Sequence, residues 1–134
     1  MKRTPLFLLS IGLVVFFCSC EGTTTQDWKV KNLSSETIQV TPSFHVVDMQ
    51  VPTTTILPGE VALIASSEEG RGARPDAETH IGNVERILIT TATDTASRDG
   101  TNVADWTSSS DHKRRVPSHW AHEHVMTVTD ADLE

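Results

Sequence analysis

The sequence predicts an all-β fold, an antiparallel β-sandwich, and three observations carry that expectation. Apolar residues after Trp28 alternate with polar ones at a period of two, and no apolar repeat at the helical spacing follows Phe17. Threonine, whose branched side chain suits a strand, is the commonest residue at 18 of 134. Candidate strands are short and separated by turn-forming residues, as in sandwiches of the immunoglobulin type. A small β-barrel is the alternative, because alternation and turn chemistry read the same in a closed sheet and in two packed ones.

Ahead of the strands, Lys2 and Arg3 precede an apolar run over residues 6–17 and then Cys18-Ser19-Cys20. A run of about 12 residues suits the hydrophobic stretch of a signal peptide and is too short to cross a bilayer as a helix, which takes about 20. The chain is expected to leave the cytoplasm. Lipoprotein signal peptidase needs a small residue before the modified cysteine; Ser19 precedes Cys20, whereas bulky Phe17 precedes Cys18. Phe17-Cys18-Ser19-Cys20 thus resembles a loose bacterial lipobox, with Phe17 where the tight motif has Leu, and implies cleavage of residues 1–19 and lipidation, palmitate included, at Cys20. Dual or triple acylation is a firm membrane anchor where a single chain is not.

With Cys18 lost and Cys20 capped, no disulfide is expected, so the domain must rest on its own core. The remaining chain, about 115 residues, is long enough to bury roughly two thirds of its unfolded surface in one domain. Residues 20–27 are expected to be the lipidated cysteine and a short tether, reaching at most about 25 Å, with a single β domain over 28–134. Without Lys2 and Arg3, nine basic residues face 18 acidic ones, a net charge of −9. That excess argues against nucleic acid and against anionic headgroups as partners.

Trp28 and Val30 alternate with Lys29 and Lys31, a turn over residues 32–36 follows, and Ile38 and Val40 alternate with threonines and Gln39: a hairpin with one buried face, ended by Pro42. Residues 44–51 form a third candidate strand with Val47, Met49 and Val51 on one face. Residues 53–57 and 61–65 read as a second hairpin across Pro58-Gly59. Residues 66–82, with three glycines, a proline and six charges, read as a long polar loop. Val84-Glu85-Arg86-Ile87-Leu88-Ile89-Thr90-Thr91 is the strongest strand, with Ile87 and Ile89 opposite Leu88 as in a central strand covered on both faces. Residues 93–102 are rich in turn formers; 103–106 form a short element, and 125–129 a last strand.

The Ser19-Cys20 ending of the signal, the opening Trp28-Lys29-Val30-Lys31-Asn32 with Ser34-Ser35-Glu36, the Leu57-Pro58-Gly59 turn and the closing Val125-Met126-Thr127-Val128-Thr129-Asp130-Ala131-Asp132-Leu133 together resemble small all-β lipoproteins of Bacteroides-type bacteria. Members often have an aromatic residue at the start of the last strand, where this chain has His124. The resemblance implies a lipid-anchored place at the bacterial outer membrane, on its periplasmic or its outer side, and no chemistry.

Four of the six histidines, His112, His119, His122 and His124, lie within 13 residues. If the last strand begins early, His122 and His124 share a face about 6 to 7 Å apart, a spacing from which two imidazoles can hold one Zn²⁺. His119 is offset by an odd number and joins only if the backbone turns; Asp111, His112, His45 and Asp48 are further contributors. The pair resembles the His-x-His of cupin metal sites, but Val128 stands where a Glu is needed, which defeats that assignment. Asp94, Asp99 and Asp105 lack the alternate-residue carboxylates of a calcium loop and read as acidic turns. His112-Lys113-Arg114-Arg115 is the one basic cluster, and Trp106 and Trp120, in irregular stretches, are candidate ligand-contact aromatics, whereas Trp28 reads as core. Ser108-Ser109-Ser110-Asp111-His112 lacks the glycine elbow of a hydrolase nucleophile.

The sequence thus favours a non-catalytic envelope module with a membrane anchor, no cofactor, and a protein or glycan partner. Its alternative is a metal-binding lipoprotein built on His122 and His124.

Overall fold

Eight strands form two four-stranded sheets in the computed structural model, which describes residues 22–45, 51–69, 83–114 and 117–134. Sheet A holds β1 (Thr23–Asn32), β4 (Val61–Glu69), β7 (Trp106–Lys113) and β8 (His119–Val128), in the order β4-β1-β8-β7. Sheet B holds β2 (Ile38–Phe44), β3 (Thr54–Ile56), β5 (Val84–Thr90) and β6 (Thr95–Asp99), in the order β3-β2-β5-β6. The sheets pack face to face as a sandwich and neither closes on itself, so the barrel alternative falls.

Among the described residues all pairings are antiparallel but one. β1 and β8 run parallel, in register from Thr23 opposite His119 to Asn32 opposite Val128. No hairpin joins the first strand to the last, so nothing in the connection imposes opposite directions on them.

Both expected hairpins are instead crossings between sheets. β1 and β2 lie in opposite layers, as do β3 and β4, and the apolar residues foreseen on the first pair (Trp28, Val30, Ile38, Val40) meet Ile56 and Ile64 of the second in one core. Alternation and turn chemistry are identical for strands that pair and strands that cross, so the sequence could not separate them. The first crossing is held by Asn32, which is fully buried. Its Oδ1 accepts the Ser34 backbone N–H at 2.9 Å and the Ser34 hydroxyl at 2.6 Å; its Nδ2 donates to the carbonyls of Glu36 at 2.8 Å and Ile56 at 3.0 Å. The second is a Pro58-Gly59 turn in which Gly59 takes φ 83° and the Glu60 N–H reaches the Leu57 carbonyl at 3.0 Å.

Other expectations shift at their edges. β1 begins at Thr23, so five residues of the expected tether are strand. Pro42 lies within β2, tolerated because β3 pairs only with Ile38–Val40 and leaves that flank an edge beyond. β4 extends to Glu69 into the expected loop. β5 is interior to its sheet as foreseen, with Ile87 and Ile89 buried, but Leu88 is 38% exposed, so its second face is open to solvent. β6 lies in the stretch expected to be turns, because its Thr, Ser and Asp residues are turn formers elsewhere, and β7 beyond Trp106 is a strand the sequence reading does not assign. The third candidate strand over 44–51 falls largely outside the described residues; Phe44 ends β2.

Beyond β8 the chain makes a short 3-10 turn, Asp130–Asp132, and a second one, Val103–Asp105, leads into β7. Arg98 of β6 reaches across the layers to Asp105, at 3.3 Å, and to Asp132. One guanidinium therefore ties the edge of sheet B to the start of β7 and the end of β8.

Candidate functional site on the inner face of sheet A

The inner face of sheet A has two unlike halves. From β1 the core takes only Trp28 and Val30, and from β8 only Met126 and Val128. Phe44, the last residue of β2, meets the Trp28 ring edge-on at 5.8 Å, so the start of sheet A extends past that strand. The residues lining that start are polar: Thr24 and Gln26 from β1, His122 and His124 from β8, all buried, with Ser108 and Ser110 facing them from β7.

The pairing register explains the contacts. Ser108 stands opposite His124 and Ser110 opposite His122. The hydroxyl of Ser108 lies 2.9 Å from Nδ1 of His124, and that of Ser110 2.7 Å from Nδ1 of His122. Nε2 of His124 lies 2.8 Å from Oε1 of Gln26. Because that oxygen only accepts, Nε2 carries the ring proton and Nδ1 accepts from Ser108. The His124 ring also packs 5.8 Å from Trp28, and Nε2 of Gln26 and Nε1 of Trp28 are buried donors without a protein partner. An unmet buried donor costs about 1–3 kcal/mol, so this stretch of the interior carries a polar deficit beside His124. At the strand ends His112 stacks on Trp120 at 4.1 Å with the planes 3° apart, and the His122 ring lies 5.8 Å from that of Trp120.

The expected residues separate accordingly. His122 and His124 share the inner face, as their spacing requires, and His112 lies on that face too. His119 is on the outer face, its Nδ1 2.7 Å from the Thr23 hydroxyl and its Nε2 3.4 Å from that of Thr25, because β8 runs straight through Trp120 without a turn. Among the described residues no group of three or more His, Cys, Asp or Glu is placed to hold a metal ion. Trp106 is core rather than ligand contact: it is buried and its indole N–H donates to the Gly100 carbonyl at 2.9 Å. Trp120 is half-buried, its ring stacked on His112. Cys20 lies outside the described residues.

Ser108, Ser110 and Gln26 were missed as partners of the histidines. The signal was present: counting in twos from Trp106 puts Ser108, Ser110 and His112 on its face. The Ser108–His124–Gln26 line offers hydrogen bonds, but a neutral amide stands where a catalytic line has the carboxylate that steadies an imidazolium. Away from this face, Leu33, Leu57, Val61 and Leu63 are each about half exposed, on β4 and the two crossings beside it. Comparison with protein-family models and with curated proteins finds no match.

Proposed function

We propose that this chain is a lipid-anchored protein of the bacterial cell envelope, held by acyl chains on Cys20, whose sandwich binds a partner without catalysing a reaction. The observation that carries this reading is the small residue Ser19 before Cys20 at the end of a short apolar run, with strand structure starting at Thr23, three residues later. Two features support binding. At the start of sheet A the half-buried Trp120 ring, stacked on His112, offers a partly open aromatic surface. Leu33, Leu57, Val61 and Leu63 supply an apolar patch at the end remote from Thr23, open to an envelope protein or glycan. The test is metabolic labelling with an alkynyl fatty acid: the parent incorporates label and sediments with membranes, and Cys20→Ser does neither. Label that persists in Cys20→Ser refutes the anchor.

The second reading, a metal-binding lipoprotein, rests on His122 and His124, which share one face of β8, and needs a further ligand. It requires a midpoint rise of roughly 10 °C at a metal concentration 100 times Kd, abolished by His122→Ala with His124→Ala.

A further inference from the structure

The parallel pairing of β1 and β8 fixes which end of the sandwich lies beside Cys20. Thr23 is level with His119, and its N–H bonds the Ser118 carbonyl at 3.0 Å. Lys113, the last residue of β7, is opposite His119, and Glu69, the last of β4, opposite Thr24. Thr23 is three positions after Cys20, a reach of about 10 Å, so these strand ends would lie at headgroup depth if Cys20 is acylated.

Among the described residues, charge along that end is graded. Glu68 and Glu69 lie at the β4 corner; Lys113 and Arg114, both exposed and without an ion pair among the described residues, lie at the β7 corner, with Asp111 one step back on the outer face. The corners are three strand spacings apart, roughly 14 Å. The domain's net negative charge repels an anionic surface as a whole, but an anchor removes the cost of approach and lets local charge choose the contact.

We propose that the β7 corner, through Lys113 and Arg114 with Trp120 beside them, docks on the phosphates of lipid headgroups, tilting the anchored domain so that the β4 corner lifts away. This rests on acylation of Cys20. Each cation near an anionic leaflet favours contact on the order of fivefold, so two give about 25-fold between docked and lifted orientations.

The test uses the full lipidated protein in vesicles of phosphatidylethanolamine with phosphatidylglycerol, with a spin-labelled headgroup as quencher. Trp28 and Trp106 are buried, so quenching reports Trp120. Quenching in the parent that falls in Lys113→Glu with Arg114→Glu, and on raising salt, supports docking. Equal quenching in both proteins, or none in a parent that floats with the vesicles, overturns it. A parent that does not float removes the anchor itself, and the docking proposal falls with it.

Discussion

Replacing Asn32 with Ala tests whether one side chain holds the crossing from sheet A to sheet B. The change deletes four hydrogen bonds, to the Ser34 N–H and hydroxyl and to the carbonyls of Glu36 and Ile56. The bonds to Ile56 and to Ser34 are buried, so water cannot replace them in full. The Glu36 carbonyl keeps the Ser34 hydroxyl at 3.2 Å and is only part-buried, so its loss is small. At about 1 kcal/mol for each bond that goes unreplaced, the variant should lose about 2–4 kcal/mol. For a domain of about 110 residues that is a fall in Tm of roughly 8–16 °C. Ser34→Ala is the control: it removes one hydroxyl, leaves both Nδ2 bonds in place, and should cost about 1 kcal/mol or less. Circular dichroism melts and urea titrations of both variants decide the matter. A loss below about 1 kcal/mol in Asn32→Ala, or equal losses in the two variants, would refute the reasoning and assign the crossing to apolar packing alone.

Gly100→Ala should destabilise by about 1–3 kcal/mol in urea unfolding, because its Cβ would sit 2.6 Å from both the carbonyl oxygen and Cγ1 of Val84. Gly59→Ala meets no atom within 4 Å and should cost only the strain of φ 83°, about 1 kcal/mol. Burial works to raise the Asp132 pKa, but the N–H and hydroxyl of Thr129 and the Arg98 guanidinium outweigh it and hold the carboxyl below its usual range. A depressed native pKa stabilises the fold above the unfolded value of about 3.9 and is lost as pH falls through the native value, so the Tm gap between the parent and Asp132→Asn should be full at pH 6 and shrink below about pH 4. Ser108→Ala should lower stability by about 1 kcal/mol through its bond to His124, while Ser109→Ala, on the opposite face, should stay within about 0.5 kcal/mol; equal effects in denaturant melts would contradict the assigned register.

Face assignments were the most legible part of the sequence. Trp28, Val30, Ile38, Val40, Ile87 and Ile89 all point where period-two counting puts them, because a strand's side chains alternate whatever it pairs with. Pairing partners were not legible, since Asn32 and Gly59 serve a crossing as well as a hairpin. β6 and β7 escaped notice because Thr95-Ala96-Ser97-Arg98-Asp99 and Ser108-Ser109-Ser110 carry little apolar signal; edge strands bury one side against a neighbour and need few apolar residues. In the site, the shared face of His122 and His124 followed from spacing, whereas their partners came from strands 12 to 98 residues away and required the register.

The adjacency of β1 and β8 also sets an order of events for a chain that emerges from one end. The first strand comes out early, yet one whole side of it can be satisfied only by the last. Until Val128 is clear of the ribosome, sheet A has a gap at its centre and β7 has no neighbour to join. Sheet B and the β1–β4 pair have all their strands before β8 appears, but sheet A closes only with the last strand, as a late step.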